Sequence, residues 1–272
     1  MTKIKGKRVL ITGGASGIGK LMGESCLQKE ASDLIIWDSN KEAVDICEKE
    51  FLAKGYKVTS QIVDVSNLNQ IQEAAASVLE DGAVDILINN AGIVAGVPFH
   101  QQSAHTISKT LAVNIEGVMQ VTRAFLPAMI AEKAGHIVTI ASASGMMSIP
   151  NMSVYAGSKW AVLGWSESLR IELDSMKEDL QVTSVTPGYI DTGMFEGVKP
   201  PLLLPLLKPK AIVASIIKGI ELNKLFVRKP FMVNCLPFVR GVLPTRIFDW
   251  LVGSVLGVYK SMDHFTGRSK TL

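Results

Sequence analysis

The sequence predicts a doubly wound α/β fold, and three observations lead there. Up to about residue 190, short runs rich in Val and Ile alternate with segments of helix length. Most of those runs are apolar throughout rather than alternating, the pattern of parallel strands covered on both faces. The first run leads straight into a glycine-rich turn, Thr12-Gly13-Gly14-Ala15-Ser16-Gly17-Ile18-Gly19, that opens a helix.

In chain order, the strand candidates are residues 8–12, 34–38, 57–63, 86–89, 136–141 and 181–186. The intervals between them have the length a right-handed crossover helix needs. The expected architecture is therefore a Rossmann-type parallel sheet with helices on both faces. After Pro187-Gly188 the rhythm changes. Pro200, Pro201, Pro205 and Pro209 interrupt residues 199–209, and proline lacks the amide hydrogen a continuous helix requires. We read a substrate-side loop there, then a helix over 210–222, a short strand near 229–233 and an amphipathic tail. That tail makes the C-terminal helical extension of the fold. No repeat or Gly/Ser linker divides the chain. It is read as one domain over 1–272, with a nucleotide-binding and catalytic core at 5–195 and a substrate loop and extension at 196–272.

Bulk properties remove several function classes. An apolar share of 47% is that of a chain able to bury a core, which excludes disorder. Cys26, Cys47 and Cys235 are scattered, fit a reducing compartment and suggest no disulfide or zinc spacing. His100, His105, His136 and His264 show no ligand spacing either, so no metal is expected. The apolar run at 9–11 is too short for a signal peptide. No segment approaches the roughly 20 apolar residues of a bilayer span. The longest apolar region, 231–259, is broken by Pro237, Arg240, Pro244, Arg246 and Asp249. From Lys199 onward, twelve Lys/Arg face three Asp/Glu, whereas the preceding residues are net acidic. A cytoplasmic protein with peripheral contact to a lipid surface through its basic, apolar last quarter fits that asymmetry.

The glycine-rich turn permits close backbone approach to a pyrophosphate, which the helix N-terminus also favours. It is not a nucleoside-triphosphate loop. Gly14 to Lys20 fits the spacing, but Leu21 follows where Ser or Thr would bind magnesium. Gly13, Ser16, Gly17, Ile18 and Gly19 are the candidate phosphate-side residues. Asp38 lies nineteen residues beyond Gly19, at the end of the second strand, where a carboxylate holds the adenosine ribose. It would repel a 2′-phosphate, so NAD is favoured over NADP. Asp64 and Val65, after the third strand, are candidate adenine contacts.

Tyr155 and Lys159 stand at i and i+4 on one helix face, with Ser142 thirteen residues before the tyrosine. Hydride transfer from an alcohol needs a base for the hydroxyl proton. A free phenol with pKa near 10 suits that role poorly at neutral pH. A lysine cation and a positive nicotinamide ring beside it would stabilise phenolate. Ser142 would hydrogen-bond the substrate oxygen, and the competing Ser144 would shape the loop.

Together these residues resemble the short-chain dehydrogenase/reductase superfamily over about residues 5–195. The elements are Thr12-Gly13-x3-Gly17-Ile18-Gly19, Asn89-Asn90-Ala91-Gly92, Asn114, Ser142, Tyr155-x3-Lys159, and Pro187-Gly188 followed by Thr192. The resemblance implies that Tyr155 is the general acid/base and that Ser142 polarises the substrate oxygen. It gives Lys159 the nicotinamide ribose and the lowering of the tyrosine pKa, and it has Asn114 hold a water that links Lys159 to solvent. Asn90, Ala91 and Gly92 would border the cofactor, with Pro187, Gly188, Ile190 and Thr192 at the nicotinamide carboxamide.

Trp37-Asp38-x-Asn40, residues 124–129 and 136–142, and the tail through Met262-Asp263-x-Phe265-x-Gly267-Arg268 resemble one branch in particular. It contains the 17β-hydroxysteroid dehydrogenases of types 11 and 13 and the epidermal and type-10 retinol dehydrogenases. The branch implies a lipophilic alcohol or carbonyl (steroid, retinoid or fatty alcohol) as substrate. Its common N-terminal anchor is not expected, because this chain begins almost at the first strand. The family also implies a homodimer or homotetramer, for which Ala161, Val162, Leu163, Trp165 and Leu169 offer an apolar face. Two other readings are an NADPH-dependent reductase of 3-oxoacyl thioesters, which Asp38 disfavours, and a catalytically idle nucleotide-binding protein at a membrane surface. Nucleic-acid binding finds no recognised module.

Overall fold

The structure is a computed structural model and describes residues 1–267. Arg268, the last residue of the tail motif, lies outside the described residues. Seven parallel strands form one sheet: β1 (Arg8–Thr12), β2 (Asp33–Asp38), β3 (Val58–Ile62), β4 (Ile86–Asn89), β5 (Ala134–Ile140), β6 (Asp179–Pro187) and β7 (Phe226–Lys229). Their order is β3-β2-β1-β4-β5-β6-β7. The winding reverses between β1 and β4, and ligands of such sheets bind at the carboxyl ends beside that point.

Two-residue periodicity sorts the strand side chains into two cores. Val9, Ile11, Leu34, Ile36, Ile86 and Ile88 face one side, packing on α1 (Gly17–Gln28), α2 (Lys41–Ala53) and α7 (Pro209–Glu221). Leu10, Ile35, Trp37, Leu87 and Ile137 face the other. They meet α3 (Leu68–Glu80), α5 (Val118–Ala131) and α6 (Ser153–Ser175) through Ile71, Phe125 and Leu173. Both faces are covered, which is why the strands read as unbroken apolar runs. Full burial of one such side chain contributes about 1.5–3 kcal/mol. The helix α4 (Ala104–Leu111) runs through a π-helical turn, Ala112–Gly117, into α5.

The C-terminal quarter is built differently. Residues 199–208 hold no helix, as the prolines require, and Pro209 starts α7 from its first turn. The last strand departs from the sequence expectation of 229–233. It occupies Phe226–Lys229, paired with Ser184 to Pro187, and ends before Pro230, which has no amide to continue the ladder. Phe231–Asn234 instead forms a 3-10 turn. The two helices α8 (Leu236–Val242) and α9 (Thr245–Phe248), a π-helical stretch and a 3-10 turn follow. They enclose a third apolar cluster in which Met146, Met152 and Tyr155 meet Leu236, Phe248, Val252 and Met262. Among the described residues no helix is long and apolar enough to cross a membrane.

Candidate active site

A cleft of about 370 Å³ opens at the carboxyl ends of the strands. Its walls contain Gly13, Ser16, Gly17, Ile18, Asp38, Asp64, Val65, Asn90, Ala91 and Gly92 on one side of the switch point. Ser142, Tyr155, Lys159, Pro187, Gly188, Ile190 and Thr192 line the other. Nearly every residue singled out from sequence is therefore gathered around one space.

Two of them stand behind it. Gly19 is buried inside α1, where a Cβ would come 2.1 Å from the Gly13 carbonyl oxygen. Its lack of a side chain brings helix and turn together. Asn114 is fully buried in the π-helical turn. Its Nδ2 donates to the Ile93 carbonyl and to Ser158 Oγ, and its Oδ1 accepts from the Ile93 amide at 2.9 Å. It braces the strand exit at Gly92, whose own Cβ would touch Asn114 Oδ1 and Lys159 Nζ.

At the nucleotide end, Gly13 and Gly17 both adopt positive φ, which bends the turn toward the cleft. Ser16 caps α1 in an extended conformation without a side-chain bond to its first-turn amides, which remain available to a phosphate. Asp38 Oδ2 accepts from the Ala15 amide and Oδ1 from the Asn40 amide, so the carboxylate is fixed rather than solvated at random. Asp64 takes a salt bridge from Lys109 at 2.8 Å and two bonds from Ser66, and the Lys109 and Ser66 contacts hold its carboxyl below the usual range against burial. Asn90 Nδ2 ties the Thr12 and Gly13 carbonyls to β4. These glycines, free amides and placed carboxylate fit a dinucleotide.

At the other end, Ser142 Oγ accepts from both the Ser144 amide and the Ser144 hydroxyl. Ser144 thus shapes the loop, and the Ser142 hydroxyl hydrogen is left to donate elsewhere. Lys159 is buried, its Nζ donating to the Ile140 carbonyl at 2.9 Å and lying 5.7 Å from the Tyr155 ring centre. Burial draws the Lys159 ammonium down to about 8. The same burial pushes the Tyr155 phenol up to about 12, with the Ser142 hydroxyl pulling the other way. The lowering expected of Tyr155 calls on the positive nicotinamide ring together with Lys159, and burial opposes it. The ammonium is itself desolvated and turned toward a backbone carbonyl.

Sequence reasoning missed two contributions to the cleft, the Thr12 hydroxyl behind its wall and Lys109 in it. Thr12 Oγ1 accepts from the amides of Asn90 and Ala91, a role its place at the strand end could have signalled. Lys109 also lines the cleft, and no local pattern marks it; Ile93, Met194 and Phe195 line it as well. Of the residues read as an intersubunit face, Val162, Leu163 and Leu169 are buried within the chain; Ala161 is exposed and Trp165 half-buried. Among the described residues no cluster of potential metal ligands occurs.

Comparison with known proteins agrees with this geometry. Residues 7–202 match the short chain dehydrogenase family. The epidermal retinol dehydrogenase 2 of Mus musculus is 38% identical, over 98% of this chain and 87% of the relative. Estradiol 17-beta-dehydrogenase 11 of Homo sapiens is 34% identical, over 89% of this chain and 81% of its own length. Among solved structures, a short chain dehydrogenase/reductase from Burkholderia phymatum in complex with NAD superposes with a TM-score of 0.79. Its identity is 26%, over 93% of this chain and 96% of the other. A short chain dehydrogenase from Burkholderia cenocepacia in complex with NADP gives 0.79 at 25% identity, over 92% and 99%.

Proposed function

The chain belongs to the short-chain dehydrogenase/reductase family, an NAD(P)-dependent oxidoreductase acting on CH–OH groups, and from that premise we propose its finer chemistry. It transfers a hydride between NAD(H) and a lipophilic alcohol or carbonyl of the steroid, retinoid or fatty-alcohol class, with Tyr155 as general acid/base. The observation that carries this is the convergence of Ser142, Tyr155 and Lys159 at one end of the cleft that has Asp38 at its other end.

When bound, the nicotinamide ring supplies the hydride acceptor or donor. Ser142 donates its free hydroxyl hydrogen to the substrate oxygen and holds it near Tyr155 Oη. In reduction, Tyr155 gives its proton to that oxygen, a task the raised phenol pKa suits. In oxidation the phenol must first lose a proton, so turnover in that direction rises with pH. Lys159 spends one hydrogen on Ile140 and keeps two for the ribose hydroxyls.

Asp38 supports NAD, because a 2′-phosphate beside its carboxylate would meet like charge, while Lys109 is engaged by Asp64. Solved relatives hold either cofactor, so the choice rests on Asp38 in this chain. Apolar Ile93, Met194 and Phe195 in the wall of the cleft support a lipophilic substrate, and so does kinship with the retinol and 17-beta-hydroxysteroid dehydrogenases. The test is a panel of retinol, steroid and medium- to long-chain alcohols, plus 3-oxoacyl thioesters, with NAD and NADP in parallel. Tyr155→Phe should lose at least 10³-fold in kcat while binding NADH as the parent does. Substantial residual turnover sinks the acid/base role, and faster reduction of thioesters with NADPH replaces the substrate class.

A second reading concerns the outer surface of the last quarter. Phe231, Phe238 and Trp250 are 74%, 73% and 63% exposed, with Leu202 and Leu203 beside the segment they share and basic residues among them. Apolar side chains mixed with Lys and Arg suit the face of an anionic lipid layer.

A further inference from the structure

Two loops leave strand ends that line the cleft: the exit of β4 through Gly96 and the exit of β6 through Gly197. The last described residues bridge them. A Cβ on Gly96 would lie 2.2 Å from a Phe265 ring carbon and 2.7 Å from Met262 Cε. A Cβ on Gly197, where φ is +81°, would lie 2.0 Å from the His264 carbonyl oxygen. Each loop is thus bare at the point where the tail crosses it.

Hydrogen bonds hold the crossing in place. The Thr266 amide donates to the Glu196 carbonyl at 3.0 Å and the Lys199 amide to the Ser261 carbonyl at 3.0 Å. Inside, the Ser261 hydroxyl donates to the Val258 carbonyl, so it accepts from the Tyr189 phenol at 2.9 Å. The Tyr189 ring packs edge-on against Phe195 at 5.1 Å between ring centres. Phe195 in turn packs against Tyr155 at 6.3 Å. Phe195 lines the cleft, and the tail stands directly behind it. A continuous stack therefore joins Ser261 to the reacting phenol.

We propose that the strap 261–266, seated on Gly96 and Gly197, sets the size limit of the substrate cleft, with Phe265 and Gly96 as the specificity-determining pair. The pair acts through the β4 exit loop, which lines the cleft at Ile93, while Ser261 acts on Phe195 through Tyr189, so both members of the pair are positioning residues. Removing the Phe265 ring releases the β4 exit loop and widens the cleft for bulky substrates. Adding a methyl group at Gly96 expels the same ring, because the obstructing atoms are the ends of side chains rather than backbone. The two changes act on one contact and should not add.

The inference rests on the lipophilic-substrate reading, and the experiment separates the two. The ratio of kcat/KM for retinol to that for 1-butanol is measured for the parent, Phe265→Ala, Gly96→Ala and the double variant, with melting temperature and NADH affinity alongside. Both single variants should raise the ratio at least fivefold, the double variant no further, and Phe265→Tyr should restore the parent value. NADH affinity should stay within twofold. Ratios unchanged within twofold, or full additivity, overturn the strap as the size limit. If the parent turns over neither alcohol, the bulkiest and smallest active members of the steroid and fatty-alcohol panel replace them; if it turns over none of the panel, the substrate class fails. Fluorescence titration with cis-parinaric acid as an apolar probe then decides the strap: tighter binding to both single variants supports it and equal affinity overturns it.

Discussion

The nucleotide half of the molecule and the C-terminal quarter serve one cleft by opposite constructions, the first lining it and the second packing behind Tyr155 and Phe195. In the first, buried strands of one direction deliver glycines, amides and a carboxylate to positions set by backbone geometry. In the second, short helices and turns leave large apolar side chains in solvent and meet the core through a few close seats. Errors of position are costly where backbone packs on backbone. They are tolerated where a side chain can swing aside, as Phe265 can over Gly96, though not at Gly197, which meets the His264 carbonyl. The first region can hold one shared cofactor geometry, while the second can vary with the substrate.

The largest expected effect tests that contrast directly with one kind of substitution. Gly19→Ala drives a methyl group into the Gly13 carbonyl at 2.1 Å, a backbone atom that cannot move without opening the phosphate-side turn. Overpacking of this kind costs about 1–3 kcal/mol or more. Weakening of NADH binding by at least tenfold is expected in fluorescence titration, with a lower melting temperature. Gly241→Ala in α8 meets nothing within 4 Å and should be neutral or stabilising by up to about 1 kcal/mol. Equal sensitivity at the two sites would erase the proposed difference.

A smaller effect should locate acid sensitivity in the sheet rather than the tail. His136 on β5 is buried, with Thr2 Oγ1 on Nδ1 and Thr183 Oγ1 on Nε2. Burial lowers it to about 4, against a favourable pull from Asp179 and an unfavourable one from the N-terminal amine. The unfolded chain takes up this proton near pH 6.5 and the folded chain only near 4. Stability is therefore full above about pH 6.5 and falls as pH drops toward 4, by on the order of 3 kcal/mol. Urea midpoints at pH 7 and 4.5 measure it, and His136→Gln should flatten the slope. An unchanged slope would place the acid sensitivity elsewhere.

The same contrast explains what could be read from the residues alone. The strands of the first half carried their own signal, since burial on both faces forces apolar runs. Asp38, Ser142, Tyr155 and Lys159 stand at strand ends and helix spacings that chemistry recognises. Lys109 gave none, because its place depends on a partner 45 residues away, Asp64. Gly96 reads as an ordinary loop glycine until Phe265 is seen above it. The last strand was misplaced for a local reason: Lys229–Val233 contains Pro230, and the ladder stops in front of it. Tyr155 shows the limit on the chemical side. Its spacing from Lys159 was legible, but the burial that raises its pKa was not.

The smallest effect on stability belongs to the outer face of the tail, and it separates surface from fold. Phe238 and Trp250 are exposed, so Phe238→Ser with Trp250→Ser should change unfolding free energy by only about 0.5 kcal/mol per site. If these side chains enter a lipid layer, the double variant should lose flotation with anionic vesicles at low salt while keeping turnover of 1-butanol. Each Lys or Arg near such a surface contributes on the order of 1 kcal/mol, so raising the salt should release the parent only in part, leaving the aromatic share. Flotation of parent and variant alike would assign the binding to charge alone. A parent that never floats rejects the lipid surface and leaves the strap over Gly96 as the function of the tail that remains to be tested.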